Sequence, residues 1–270
     1  MLELEASMFA TVKYCLERSI KTYPNTPRDK WLFDHPGQCV LHANQVFWTS
    51  QVEDAINTNT IPNYIDKIQE RIDGLVKIIR TNLNRTHSIT ISNCITMEVH
   101  NKEVTKSLID YNVTEITSFE WIKHLRYSWE KPVDKTEHTC LVKSIATVFP
   151  YGYEYLGNTE ILVITPLTDK CYLTLMGALR LNMGGAPAGP AGTGKTESTK
   201  DLAKALAKQC IVYNCSDQTD IDVVAKFFKG LASCGAWICF DEFNRINLEV
   251  LSVIATQLIQ LFIAKENGET

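Results

Sequence analysis

The sequence predicts an α/β fold, with a parallel sheet in its second half and a mostly helical region in its first half. Two observations support this prediction. In the first half, apolar residues recur at steps of three and four, which is the period of helices that face a core. After residue 150 the pattern becomes glycine-rich loop, helix, strand, helix, strand, helix, which is typical of parallel α/β sheets. We therefore predict a mostly helical domain at 1–150 and an α/β domain at 151–270.

The first half is expected to contain helices at 1–20, 38–56 and 62–83. The third has the clearest apolar stripe, and Pro62 suits its first turn. Turn-forming residues at 22–29 separate the first two helices. The aromatic residues between 119 and 129 do not share one helical face, so part of that segment should pack between elements. The predicted stripe of the third helix consists of Ile65, Ile68, Ile72, Leu75, Val76 and Ile79.

The second half is expected to begin with a short strand or hairpin at 149–157, followed by a helix that ends near Leu181 and is capped by Thr168 or Asp169. Two further strands are predicted later in this half, and both are apolar. One of them, Ala236–Phe240, is apolar at every position, as in a strand covered on both faces. Residues 183–188 lack the bulky apolar side chains usual in a first strand. The remaining predictions are helices at 198–208, at 220–232 and from Asn247 onward, and a strand at Cys210–Cys215.

Composition excludes several classes of protein. With 45% apolar and 21% charged residues, the chain is neither disordered nor collagen-like. The net charge of −4 is spread over both halves, which argues against nucleic-acid binding. The acidic N-terminus and the short apolar runs predict no signal peptide and no membrane span. Nine scattered cysteines indicate reduced thiols in a cytosolic compartment rather than disulfides or zinc.

A glycine-rich loop at 189–196 fits the pattern G-x-x-x-x-G-K-S/T and runs directly into a predicted helix. The glycines should let successive N–H groups point into one concavity, to which the helix N-terminus adds its positive end. Lys195 can reach the β- and γ-phosphates, and the Thr196 hydroxyl can bind Mg²⁺. The predicted phosphate-binding residues are Gly189, Pro190, Ala191, Gly192, Thr193, Gly194, Lys195 and Thr196.

A second motif lies at residues 237–242, where a buried strand ends in Asp241 and Glu242. Ligands of open α/β sheets bind at the carboxyl ends of strands. Asp241 is therefore predicted to hold the metal together with Thr196, and Glu242 to orient and deprotonate the attacking water as the catalytic residue. The two motifs together predict binding of ATP or GTP with Mg²⁺.

These motifs carry a resemblance to a known family. Residues 185–207, 212–216 and 235–245 resemble the first AAA+ module of dynein heavy chains, and 186–190 and 200–205 are similar to the axonemal branch. Residues in the first half are similar to the C-terminal part of the dynein linker; the segments concerned are 31–36, 47–49, 119–127 and 151–157.

The resemblance implies an incomplete P-loop NTPase sheet of the AAA+ type behind a helical linker domain. It also implies ATP and Mg²⁺ as cofactors, with Pro166 and Leu167 in a loop that packs on the adenine. The parent would couple MgATP hydrolysis to minus-end-directed movement on microtubules, in the cytoplasm and cytoskeleton of the axoneme of cilia and flagella. Its implied partners are the rest of the heavy-chain ring with its neighbouring AAA+ module, microtubules through a stalk, and intermediate and light chains through a tail.

Two alternatives stay open at this point. Another AAA+ remodelling ATPase would carry a substrate pore loop after the second strand rather than a linker before the module. A nucleotide-binding segment without turnover of its own would be indicated by loss of Lys195 or Glu242, and both are present. The sensor strand, the lid and an arginine finger are expected beyond Thr270, so the 270 residues should bind ATP with little turnover. Arg245 is expected either in a surface ion pair or against a neighbouring module.

Overall fold

The computed structural model describes residues 2–132, 137–190 and 192–268. The chain divides into two compact units, Met1–Met176 and Gly177–Thr270. The predicted boundary at residue 150 falls inside the first unit. The assignment of 1–150 and 151–270 to two domains therefore stays a prediction, and the packing places residues 151–176 with the helical half.

The first unit is built mainly from helices, as the period of its apolar residues predicts. Its long helices are α1 (Leu2–Thr22), α3 (Gly37–Asn57), α4 (Ile61–Ile79) and α5 (Arg85–Asp110); the shorter α2 (Arg28–Asp34) lies between α1 and α3, and α6 (Phe119–Ile122) follows α5. The predicted helix at 62–83 ends earlier, at Ile79, and a 3₁₀ turn at Tyr23–Asn25 lies in the predicted loop. Helix α5 is the longest helix of the described chain.

The core of the first unit lies between α3, α4 and α5. From the predicted stripe of α4, Ile68 and Ile72 belong to this core, together with Trp48 and Leu108 from the two neighbouring helices. Trp121 of α6 is fully buried and meets Trp48 edge to face, with ring centroids 5.4 Å apart. The aromatic segment near 119–129 thus packs between elements as expected.

A three-stranded antiparallel sheet follows, formed by β1 (Arg126–Glu130), β2 (Thr139–Ser144) and β3 (Thr147–Pro150). Only the start of the predicted strand or hairpin at 149–157 is a strand, so that prediction is wrong beyond Pro150. Backbone groups between residues 154 and 161 form hydrogen bonds with side-chain amides instead. Gln38 donates to the carbonyl of Glu154 at 2.8 Å and accepts from the amide of Leu156 at 3.0 Å. Asn93 makes the same pair of bonds to Thr159 and Ile161.

Helix α7 (Pro166–Arg180) begins earlier than the sequence predicts. The expected caps, Thr168 and Asp169, are already inside the helix. Thr165 caps it instead, since its hydroxyl accepts from the amide of Thr168 at 3.4 Å and Pro166 occupies the first helical position.

The second unit has the predicted alternation of helix and strand. Its elements are α8 (Lys195–Ala205), β4 (Cys210–Asn214), α9 (Ile221–Cys234), β5 (Trp237–Asp241), a 3₁₀ turn at Phe243–Arg245 and α10 (Leu248–Glu266). Strands β4 and β5 are parallel, with Asn214 opposite Asp241. The structure therefore confirms the α/β class, and α8 packs against both strands.

Two details of the second unit differ from the prediction. Strand β5 is only half-buried along its whole length, so it is not covered on both faces. In the described chain, residues 183–189 form no strand, as their small residues suggest, and the sheet consists of β4 and β5. The core of this unit instead lies between α9, α10 and the strands, with Val224, Phe228 and Ile254 at its centre.

Helix α10 is apolar on more than its packed side. It has 19 residues with a mean hydropathy of 1.5, so length and composition alone would allow it to cross a membrane. A single such helix is weak evidence, because core helices of globular domains have the same composition. The expectation of no membrane span stays a prediction.

Candidate nucleotide-binding site

The glycine-rich loop turns into α8 through two left-handed residues. Gly192 has φ 77° and Gly194, which precedes the helix, has φ 79°. Residues with a Cβ are strained in this conformation, which explains glycine at both positions. Gly189 does not have a positive φ, and a Cβ there would meet the Thr193 and Lys195 side chains at ordinary distances of 3.4 and 4.0 Å. The contribution of Gly189 to the curl of the loop stays a prediction.

Lys195 is the first residue of α8, and its ammonium group folds back over the loop. Its Nζ donates to the carbonyl oxygens of Pro190 at 2.7 Å and Gly189 at 3.0 Å. The Thr193 hydroxyl donates to the same Pro190 carbonyl at 2.9 Å. The positive charge therefore lies at the loop, beside the N-terminus of α8, where an anion is favoured by both the charge and the helix dipole.

The two motifs predicted from the sequence meet at Thr196 and Asp241. The Thr196 hydroxyl, in the first turn of α8, donates to Oδ2 of Asp241, at the end of β5, over 3.0 Å. Both side chains are half-buried. A hydroxyl and a carboxylate in contact supply the hard oxygen ligands that Mg²⁺ prefers. The structure thus brings together the two residues predicted to hold the metal.

Glu242 follows Asp241 in an unusual backbone conformation, with φ 53° and ψ 40°. Its amide donates to Oδ1 of Asp241 at 3.0 Å. Its exposed carboxylate lies 3.4 Å from Nε of Arg245, three residues on. Of the two roles expected for Arg245, the described chain shows the surface ion pair. The two adjacent carboxylates therefore have different partners: Asp241 accepts from Thr196 of α8, and the exposed Glu242 pairs with Arg245.

The remaining predicted residues do not add contacts to this arrangement. Ala191 lies outside the described residues. Pro166 and Leu167 are the first two residues of α7 and belong to the first unit, and Leu167 is largely exposed. Their assignment to an adenine loop stays a prediction.

Two polar residues near the loop were not predicted from the sequence to belong to the site. Ser198 is buried and donates to the carbonyl of Gly194 at 2.9 Å, which anchors the start of α8. Asn214 lies opposite Asp241 at the carboxyl end of β4. The position of Asn214 at a strand end was a usable signal, whereas the bond made by Ser198 is a common one within a helix.

A thiol lies behind the site on β5. Burial raises the pKa of Cys239, and the charge of Asp241 raises it further. The raised pKa favours the thiol form, which binds metal less well than the thiolate.

Comparison with known proteins identifies the region that contains these motifs. Residues 151–270 match the family described as the hydrolytic ATP binding site of dynein motor region. Over 267 residues the chain is 49% identical to dynein axonemal heavy chain 1 of Mus musculus, which covers 98% of this chain and 6% of that protein. It is 48% identical over 260 residues to dynein axonemal heavy chain 3 of Homo sapiens, covering 96% of this chain and 6% of that protein. It is 47% identical over 261 residues to dynein axonemal heavy chain 12 of Mus musculus, covering 96% of this chain and 8% of that protein.

Proposed function

The chain belongs to the axonemal dynein heavy-chain family, and from that premise we propose that it forms the nucleotide-binding part of a motor ATPase. The chain spans about 6% of the length of the relatives that it matches. The proposed activity of the parent is MgATP hydrolysis coupled to minus-end-directed movement along microtubules in the axoneme. The observation that carries the proposal is the contact between Thr196 and Asp241, which joins the glycine-rich loop to the acidic strand end.

In the proposed site, the loop amides and the N-terminus of α8 receive the phosphates. Lys195 exchanges the carbonyls of Gly189 and Pro190 for phosphate oxygens, which carry more negative charge. The exchange replaces both carbonyl partners of the ammonium group, so neither of these two hydrogen bonds is lost without a replacement. Because a glycine-rich loop and a helix N-terminus recognise phosphate rather than base, this part of the site alone does not select ATP over GTP.

Thr196 and Asp241 are the proposed Mg²⁺ ligands, Asp241 through the ion's water shell. Bound there, Mg²⁺ would neutralise charge on the β- and γ-phosphates. While its O–H donates to Asp241, the Thr196 hydroxyl oxygen keeps its lone pairs and can present one of them to the ion. The contact therefore holds the Thr196 hydroxyl and the Asp241 carboxylate side by side, and Mg²⁺ binding does not have to break it.

Glu242 is the proposed general base. It must leave Arg245 to accept a proton from the attacking water, and exposed ion pairs are typically worth only about 0–1 kcal/mol. Both partners of this pair are exposed, so releasing the carboxylate costs little. Asp241 does not replace it in this role, because its two oxygens already accept from Thr196 and from the amide of Glu242.

The axonemal location and the partners are proposed from the family alone. They are the other modules of the heavy-chain ring, microtubules, and intermediate and light chains. They involve segments of the relatives that lie outside the matched region. The chain itself supplies the nucleotide site, and any movement would depend on those other segments.

The proposal is tested by calorimetric titration of the 270-residue chain with ATP, with and without Mg²⁺. We expect saturable binding of one ATP per chain that Mg²⁺ strengthens. AMP, which lacks the β- and γ-phosphates, should bind at least tenfold more weakly. Equal affinity for AMP and ATP would contradict a site built on the glycine-rich loop.

A further inference from the structure

Three side chains of the kinds that bind metals meet inside the first unit, in a place unrelated to the glycine-rich loop. His100 lies on α5, His124 follows α6, and Asp169 lies in the first turn of α7. One ligand atom from each lies within 4.8 Å of those of the other two. The three residues come from three separate elements, so the cluster exists only in the folded chain.

The distances within the cluster suit a common ligand. Nδ1 of His124 lies 3.2 Å from Oδ2 of Asp169, and Nε2 of His100 lies 3.6 Å from Oδ1 of the same carboxylate. Tetrahedral zinc, with bonds of about 2.0–2.2 Å, holds its ligand atoms about 3.3–3.5 Å apart. All three ligand atoms lie within 4.8 Å of one another, so closing any pair to about 3.4 Å takes a movement of at most about 1.4 Å.

His124 is the second observation that points to a ligand. It is only 6% exposed, and among the described residues neither of its ring nitrogens makes a hydrogen bond. The 3.2 Å approach of its Nδ1 to Asp169 therefore lacks hydrogen-bond geometry. Buried polar groups are almost always paired, because burial without a partner loses the bonds to water and replaces them with nothing. A metal bound by this ring would provide the missing partner.

We propose that His100, His124 and Asp169 bind a divalent transition-metal ion, with Zn²⁺ as the best fit to the ligand set. Two imidazoles and one carboxylate favour zinc over Mg²⁺ or Ca²⁺, which prefer ligand sets made only of oxygen. Three protein ligands leave a fourth position for water or another small ligand. The ion would connect the first turn of α7 to α5 and to the residue that follows α6. This first turn comes directly after the capping residue Thr165.

The test is a titration of the metal-free 270-residue chain with Co²⁺, followed by displacement with Zn²⁺. We expect one cobalt per chain, with the absorption of a tetrahedral nitrogen and oxygen site and without a thiolate-to-cobalt charge-transfer band. His100→Gln and Asp169→Asn should each weaken cobalt binding at least tenfold. Excess Mg²⁺ should not displace the cobalt, which separates this site from the proposed nucleotide site.

The matched control is His87→Gln, which removes a half-buried histidine from another part of the first unit and should keep the parent affinity. Far-UV circular dichroism of the metal-free variants verifies that each is folded. The partly exposed His100 and Asp169 carry the test, and His124→Gln adds to it, since that residue is the most deeply buried of the three. Parent-like cobalt affinity in the folded His100→Gln or Asp169→Asn variant, a thiolate band, or no saturable binding would overturn the proposal.

Discussion

The Thr196 hydroxyl donates a hydrogen bond to Oδ2 of Asp241 over 3.0 Å, although the two residues are 45 positions apart. One begins a helix and the other ends a strand. The contact depends on α8 packing across β4 and β5, because that packing brings the start of the helix to the carboxyl end of the sheet. This is the position where ligands of open α/β sheets bind.

Thr196 and Asp241 should act as one unit in Mg²⁺-dependent ATP binding. We expect Thr196→Val and Asp241→Asn each to remove most of the increase in ATP affinity that Mg²⁺ provides. The double variant should be little worse than either single variant, because the second change removes a ligand from a site already lost. Calorimetry with and without Mg²⁺ measures the effect, and Thr256→Val, which changes an exposed residue of α10, is the control. Additive losses would mean that the two residues act separately.

Lys195→Ala should weaken ATP binding about ten- to a hundredfold. A charge-assisted contact to phosphate is worth about 1.5–3 kcal/mol, and about 1.4 kcal/mol corresponds to a factor of ten. The affinity is measured by calorimetry. Lys226→Ala, which removes an exposed lysine from α9, should bind ATP like the parent. If the Lys195 variant also bound normally, the loop would not be the phosphate site.

Glu242→Gln should separate hydrolysis from binding when introduced into the full-length heavy chain. Glutamine keeps the size of the side chain but does not accept the proton, and positioned general bases contribute about 10²–10⁴-fold to rate. Single-turnover hydrolysis should slow by that factor while ATP affinity is retained. Glu249→Gln on α10 serves as the control. A variant that lost affinity but hydrolysed bound ATP at the parent rate would show that Asp241 and Glu242 had been assigned the wrong roles.

Glu98 should be a key residue for the stability of the first unit. Its side chain is completely buried, and its Oε1 accepts from Arg28 at 2.6 Å and from Asn44 at 3.0 Å. Breaking a buried ion pair by removing one partner typically costs about 3–5 kcal/mol, and the lower end of that range applies here because Arg28 is 25% exposed and keeps its bonds to Tyr23 and Asn44. We expect Glu98→Ala to lower the free energy of unfolding by that amount in urea denaturation. Replacing the exposed Glu70 of α4, in Glu70→Gln, should change it by less than about 0.5 kcal/mol.

The cysteines should differ widely in reactivity toward a thiol reagent at pH 8. Burial raises the pKa of Cys39, Cys94 and Cys140 to about 12 in each case. At pH 8, well below that pKa, these thiols are almost entirely protonated, and the thiolate is the reactive form. Cys234 is exposed and should react first. Fast modification of all nine thiols in the folded chain would contradict this packing.

The prediction of the second unit succeeded where the signal was local. A glycine-rich loop followed by a helix, and an apolar strand ending in two carboxylates, each fit within ten residues and are visible in the sequence. The caps and ends of the helices were predicted less accurately. The start of α7 was misplaced because Thr165 and Thr168 are both good capping residues, and the choice between them depends on the hydrogen bonds that form.

Helix α5 shows why the first unit was harder to predict. Its inward-facing residues include Asn93, Glu98 and Asn101, so it lacks the apolar stripe that identifies a buried helix. Those side chains are buried because they have partners far away in sequence, such as Arg28 and the backbone at Thr159. The same amide bonds hold residues 151–165 against the helices without forming a strand.

The sequence by itself determined the α/β class, the glycine-rich loop with Lys195, and the acidic pair at the end of β5, because each depends on neighbouring residues and on local backbone geometry. Only the tertiary structure decided that Thr196 meets Asp241 and that two histidines and Asp169 converge. These contacts join residues from separate elements. The distances between these side chains depend on how the helices and strands pack, and the pattern of residues along the sequence does not specify that packing.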